Sequence, residues 1–244
     1  HKKMNIKDKQ FEAFLDNLPN SLQDSIEGAI DFLKPNIDVI DEDFLKMLNE
    51  TNPEFYETMK KGMLELEKQP KQDIKIKFIN REFKDFEFLN TQEADIIVWE
   101  GNYITDTDIL INTSKIVIVD GNLTCNNLIV NDAYLFVNGN VNCTVLFGAS
   151  GNDKMTQITQ DINAKSIVEN GHYTFVDGGI YAEEIIMIHN EIKSNKEVKA
   201  NQIFESNVES KNKLTIEIVD NNGFFDEGKF ISLITSNQDY KLLK

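Results

Sequence analysis

The segment Leu123-Thr-Cys-Asn-Asn-Leu-Ile129 is the first clear copy of a pattern that runs aliphatic-x-small-x-x-aliphatic-aliphatic. Later copies begin at Val141, Ile162, Ile180 and Val198. Successive copies are 18 residues apart (123 to 141, 162 to 180, 180 to 198), and the one longer interval contains the glycine-bearing stretch Gly148–Asp153. A fixed period this short indicates a solenoid, in which each repeat buries its apolar side only against its neighbours.

A second set of apolar positions precedes tight-turn dipeptides in the same region. Val117 and Val119 come before Asp120-Gly121, and equivalent pairs come before Asn138-Gly139 and Asp177-Gly178. Glycine readily adopts the backbone conformation that a tight corner needs. Each repeat then has about three straight sides of roughly six residues. We therefore predict a mainly β fold, a three-sided parallel β-helix of ~18-residue coils, right-handed in preference to left-handed, preceded by a small N-terminal α-helical segment.

The N-terminal part of the chain has a different pattern. All four prolines lie between Pro19 and Pro70, near the expected ends of amphipathic helices, and none follows in the repeat region. Because proline cannot donate a hydrogen bond to a sheet, its absence there fits continuous strand pairing. We predict an α-helical segment over residues 1–70 and a parallel β-helix over 71–244. Within the latter we expect irregular first coils (71–115), regular coils (116–206) and a C-terminal cap (207–244).

The charge balance limits the classes of partner. The chain carries 41 acidic and 25 basic residues, a net charge of −16, and Arg81 is its one arginine. A nucleic-acid surface needs clustered lysine and arginine, so we expect no nucleic-acid partner, whereas a basic protein would suit this acidity. No apolar run approaches the ~20 residues of a membrane span. Cys125 and Cys143 occupy the small position of the repeat and are interpreted as core residues, and we expect a cytoplasmic protein.

One column of large apolar residues needs a separate explanation. Each copy of the pattern ends in two adjacent apolar residues, and neighbours along a strand point to opposite faces. Either the chain bends there and both turn inward, or the second residue faces outward and needs a cover. We expect the N-terminal helices or a second subunit to provide that cover, and we take this column as the candidate interaction face: Ile129, Phe147, Val168, Ile186 and Phe204.

Few polar residues suggest chemistry. His172, His189 and Glu191 fall in neighbouring turns near Asp132 and Asp153, and a histidine–carboxylate cluster can bind a metal or perform acid–base catalysis. The preferred interpretation is that both histidines are exposed turn residues. We therefore expect no catalytic residue, no metal site and no cofactor, and we expect His172→Ala to leave stability unchanged.

Asparagines recur at corner positions of the coils, at Asn126, Asn127, Asn140 and Asn142. They could recognise a sugar or a flat protein edge, but we interpret them as polar stacking between coils, which needs no ligand.

The run Asp120-Gly-Asn-Leu-Thr-Cys-Asn-Asn-Leu128, with its echoes at Asn138–Cys143 and Gly178–Ile185, resembles the bactofilins. The resemblance covers roughly residues 117–206. It implies a right-handed β-helix without a nucleotide cofactor, in a bacterial family of polymer-forming cytoskeletal proteins. A six-residue spacing of aliphatic residues from Val117 to Phe147 leaves the left-handed hexapeptide fold of acyltransferases as the alternative.

Three functions remain open from the sequence. The first is a non-enzymatic β-helix scaffold or protein-binding module of a bacterial cell, acting through a protein partner or self-association. The second is an acidic immunity-type protein that neutralises a basic toxin, since charge complementarity speeds association. The third is an enzyme acting on a carbohydrate or acyl group, for which the chain lacks the familiar catalytic motifs.

Overall fold

The fold is dominated by parallel strands that stack into a β-solenoid of about six turns. The computed structural model describes residues 8–33, 42–67, 74–79, 94–112, 115–151, 154–206, 213–236 and 240–244. Helices precede the solenoid and follow it. The predicted mainly β fold with ~18-residue turns is therefore confirmed. Part of the expected first coils, residues 80–93, lies outside the described residues.

Each complete coil has three sides. The first side consists of β1 (Ile76–Ile79), β2 (Ile96–Glu100), β5 (Ile116–Asp120), β8 (Tyr134–Val137), β10 (Met155–Ile158), β12 (Tyr173–Val176) and β14 (Ile192–Ser194). The second side begins with β3 (Tyr103–Ile104) and β6 (Leu123–Thr124), and the third side begins with β4 (Ile109–Asn112) and β7 (Asn127–Asn131). From there on, single strands run over both the second and third sides: β9 (Val141–Ala149), β11 (Ile162–Asn170), β13 (Ile180–Met187) and β15 (Val198–Glu205).

The register of the strands follows the repeat. Leu123 pairs with Val141, and the same column continues through Ile162, Ile180 and Val198. The insertion after Gly148 lengthens one coil without shifting the strands that follow it. Alignment of equivalent positions buries aliphatic side chains from all three sides in one continuous interior, and each is worth about 1.5–3 kcal/mol of burial.

The outward face of the first side is covered by two N-terminal helices. Helix α1 (Lys9–Leu15) begins at Asp8, whose carboxylate accepts the N–H groups of Gln10 and Phe11 at 2.9 and 3.2 Å. Helix α2 (Asn20–Leu33) follows. Their apolar faces pack on the outward residues of β2, β5 and β8, which are Ile96, Val98, Ile116, Ile118, Tyr134 and Phe136.

The C-terminal segment covers the outward face of the third side. It contains a short 3₁₀ helix (Ile216–Ile218) and helix α5 (Glu227–Ile234), which begins at the capping residue Asp226. Leu214, Ile218 and Phe230 form a single buried cluster with the third-side residues. We expected residues 207–244 to cap the last coil. The part that the structure describes lies along the side of the solenoid instead, because the apolar column there offers more surface to bury.

Helices α3 (Glu42–Thr51) and α4 (Pro53–Glu67) form a hairpin. The turn between them is Asn52, whose side-chain oxygen accepts the N–H of Phe55 at 3.2 Å and so caps α4. Leu48 is buried, but Met47 and Phe55 are half exposed. Among the described residues, neither helix packs extensively on any element except the other.

Candidate interaction site at the open end of the solenoid

The last coil exposes residues that every earlier coil buries. Ile180 and Ile185 point into the interior and are 0% and 2% exposed. Their equivalents one coil later, Val198 and Ile203, are 44% and 56% exposed. Among the described residues no further strand pairs with β15, and no described coil covers its inward residues. We call the edge formed by β14 and β15 the open end.

Backbone groups at the open end are oriented for a further strand. The N–H groups of Leu123, Val141, Ile162 and Ile180 each donate to a carbonyl of the next coil, at 2.8–3.0 Å. The equivalent N–H group in β15 belongs to Val198, which therefore faces the open end.

A cleft of about 860 Å³ lies beside β15. It is lined by Asn201 and Gln202 of β15, by residues of the two preceding coils and by C-terminal residues that include Tyr240. Lys165 Nζ lies 4.4 Å from the centre of the Tyr240 ring. Burial, together with the nearby negative charge of Glu184, raises the pKa of Tyr240 to about 12, so this phenol stays neutral. The cleft thus combines both signs of charge with a neutral aromatic wall.

The outward face of the second side is polar and has no cover among the described residues. Thr124, Asn142, Asn163 and Tyr181 follow one another along it, and Asn163 donates to Asn142 at 3.2 Å. Its first residue, Ile104, is 77% exposed. Apart from Ile104 the residues named on this face are polar or carry a polar tip and suit contact with water, whereas the open end exposes two residues, Val198 and Ile203, at positions that earlier coils bury.

The predicted polar stacking between coils is present. The Asn102 side-chain oxygen accepts the Asn122 N–H at 2.8 Å, and Asn122 accepts the Asn140 N–H at 2.8 Å. Asn140 then accepts the Asp161 N–H at 3.1 Å, and Asp161 accepts the Gly179 N–H at 2.7 Å. At another corner, Asn126 donates to Asp108 at 2.7 Å. These side chains satisfy the corner amides of successive coils, which is a structural role.

The histidine expectation needs correction, because His172 is fully buried and not an exposed turn residue. Its Nε2 forms a 2.9 Å hydrogen bond with Thr156 Oγ1. Burial, and secondarily the charge of Lys154, lowers the pKa of His172 to about 3, so the ring is neutral. A Cβ on Gly148 would lie 2.4 Å from His172 Cδ2, so glycine is required where the ring packs on the strand.

His189 and Glu191 do not join His172 in a site. Both are exposed, and Glu191 forms an ion pair with Lys193. The described residues contain no group of three or more His, Cys, Asp or Glu side chains placed to hold a metal ion. Asp153 lies outside the described residues.

Glu169 is the polar residue that the sequence analysis missed. This buried carboxylate accepts the N–H groups of Ile188, His189 and Asn190 at 2.5–2.9 Å through Oε1. Through Oε2 it accepts those of Gly171 and His172 at 2.9 and 3.4 Å. One side chain thus joins the corners of two consecutive coils. The sequence did contain an indication of this role. Glu169 places a carboxylate in a column of aligned positions that also includes Val130 and Met187.

The candidate interaction face is covered by a different part of the chain from the one expected. Ile129, Phe147, Val168, Ile186 and Phe204 face outward and are buried, as a column needing a cover should be. The cover is the C-terminal segment of the same chain, and neither the N-terminal helices nor a second subunit is needed for it. The rings of Phe147 and Phe230 are 4.9 Å apart, centre to centre. These five residues therefore hold the chain together instead of offering a free surface.

Both cysteines are free thiols. Burial raises the pKa of Cys125 to about 12, and it also raises the pKa of Cys143 well above the usual value for a thiol. Because the thiolate is the form that reacts and binds metals, both residues act as small core side chains, as predicted.

Comparison with protein-family models, curated proteins and solved structures found no match. None of the helices among the described residues is long and apolar enough to cross a membrane.

Proposed function

We propose that this protein is a non-enzymatic protein-binding scaffold whose binding site is the open end of its solenoid. The observation that supports the proposal is the exposure of Val198 and Ile203, which occupy positions that every earlier coil buries. Apolar residues beside unpaired strand edges favour association with another chain. The chain's own terminal segments cover two outer faces but, within the described residues, not this end.

The proposal includes a bacterial cell as the setting and the cytoplasm as the location. The repeat's resemblance to a bacterial family supports the first. The two free thiols are compatible with the cytoplasm as the location, since reducing compartments preserve thiols.

A charge substitution tests the site. The unmodified 244-residue protein, the Ile203→Lys variant and the matched control Ile104→Lys would each be used to capture partners from a lysate of the source cell. Both residues are exposed, so neither substitution should change stability by more than about 0.5 kcal/mol. We expect the wild type and Ile104→Lys to retain the same partner and Ile203→Lys to lose it. Equal retention by all three proteins would refute binding at the open end.

A second candidate function is an acidic antagonist of a basic protein, such as an immunity-type protein. It is favoured by the net charge of −16 and by the hairpin of α3 and α4. That hairpin carries seven acidic residues (Glu42, Asp43, Glu50, Glu54, Glu57, Glu65, Glu67) against three basic ones (Lys46, Lys60, Lys61). Such a complex should weaken at least about tenfold when salt rises from low to physiological concentration, because screening removes long-range attraction. A salt-independent affinity would favour the open end instead.

A further inference from the structure

We infer that the open end binds an extended strand of a partner protein, which pairs in parallel with β15 and continues the solenoid by one layer. This inference rests on the proposed function and names the kind of partner. Every strand pair among the solenoid strands described is parallel. A strand added to such an edge gains main-chain hydrogen bonds, and its alternate side chains decide the specificity.

The hydrogen-bonding groups at the open end repeat those by which the chain's own coils pair, and all of those pairings are parallel. In four preceding coils the first residue of the second side donates its N–H to the next coil, and Val198 holds this position in β15. Cys125 likewise donates to the Asn142 carbonyl at 3.0 Å, and its equivalent in β15 is Ala200. A parallel partner strand can therefore accept the N–H groups of Val198 and Ala200 in the same way that each coil accepts those of the coil before it.

The interior fixes which side chains the strand must carry. The residue opposite Val198 points inward and covers an aliphatic side chain, so it must be aliphatic too. The residue opposite Ala200 falls in a column occupied by Cys143, Ala164 and Ala182, so it must be small. The residue opposite Ile203 must again be aliphatic. The partner strand therefore follows aliphatic-x-small-x-x-aliphatic, the pattern that this chain uses internally.

Charge favours a strand from another protein over a second copy of this chain. Each of two copies would carry a net charge of −16 over the whole chain. Like charges of this size oppose association at moderate salt, whereas a strand with basic flanks is attracted.

A peptide experiment tests the inference on the whole 244-residue chain. The probe is a fluorescent peptide with the sequence of residues 161–170, which carries the pattern, followed by two lysines. The control peptide has the same composition with the aliphatic residues moved by one position, which turns them to the opposite face of a strand. Fluorescence anisotropy measures affinity, and hydrogen exchange measures protection of the Val198 and Ala200 amides.

We expect the probe to bind at least tenfold more tightly than the control peptide and to protect both amides. Ile203→Lys should weaken probe binding at least tenfold, and the matched variant Ile104→Lys should not change it. Equal binding of the two peptides, or protection elsewhere, would overturn the inference. So would a wild-type dimer in sedimentation velocity that Ile203→Lys dissociates, because a second copy would then occupy the end. If Ile203→Lys loses the cellular partner but no peptide binds, the strand inference fails while the proposed function stands.

Discussion

His172 lies in a corner of the solenoid where a protonated ring would be costly. Its pKa is lowered to about 3, mainly by burial, whereas an unfolded chain protonates histidine near its ordinary value of 6.5. Between these two values the unfolded state binds more protons than the folded state. The free energy of unfolding should therefore fall as pH is lowered through this window, by up to about 1.4 kcal/mol per pH unit from this residue.

The pH dependence can be measured by urea denaturation of the wild type and of His172→Gln at pH 7.5, 6.5 and 5.5. We expect the wild type to lose more stability than the variant between pH 6.5 and 5.5, while the exposed-residue control His189→Gln follows the wild type. Parallel curves for wild type and His172→Gln would show that the ring is not held neutral. Because His172 is buried, His172→Ala is also expected to change stability, contrary to the prediction from the sequence.

Glu169 acts at the same scale through its hydrogen bonds. A glutamine there would turn a donor group toward the backbone amides that one carboxylate oxygen now accepts. We expect Glu169→Gln to lower the free energy of unfolding by about 2–3 kcal/mol, because buried N–H groups lose a shared acceptor. Chemical denaturation measures this loss, and the exposed Glu183→Gln is the control. A loss below about 0.5 kcal/mol for Glu169→Gln would contradict the role assigned to the carboxylate.

At the scale of elements, α5 and the third side form one apolar cluster. Phe230 is fully buried and its ring contacts Phe147, while Phe224 in the same segment is half exposed. Phe230→Ala should cost about 3–5 kcal/mol through lost burial and the cavity left behind. Phe224→Ala should cost less than about 1 kcal/mol. Thermal unfolding by circular dichroism measures both, and equal effects would argue against the C-terminal cover.

The elements also show which features the sequence could predict. The strand register followed from the repeat, because equivalent inward positions must stay aligned for the interior to be filled. The element that covers Phe147 could not be predicted from the repeat. Helices α2 and α5 are both amphipathic, and the sequence pattern alone cannot assign each helix to a face of the solenoid. The burial of His172 was not predicted, because its neighbours in the chain are mostly polar. Its burial depends on Gly148 in the preceding coil, where there is no side chain to exclude the ring. The open end could be predicted from the sequence, because no further copy of the repeat pattern follows Phe204.

For the whole molecule, the net charge of −16 sets the response to salt. Repulsion among excess carboxylates opposes the compact state, and added salt screens it. We expect the Tm at pH 7 to rise by a few degrees when sodium chloride increases from about 10 to about 150 mM. Near pH 4.6, the isoelectric point, the same addition should change Tm little. A Tm that falls with salt at pH 7 would mean that specific ion pairs outweigh the net repulsion.

The open end has a consequence for how the chain is made. Ribosomes add about 5–20 residues per second, so a turn of ~18 residues emerges every one to four seconds, and each turn pairs with the one made just before it. Contacts between neighbouring turns are close in sequence, which allows the solenoid to grow in order during synthesis. At every stage the newest turn presents free amides and aliphatic side chains to its successor. Val198 and Ile203 retain that growing surface in the finished protein, so a partner strand would take the place of the next turn.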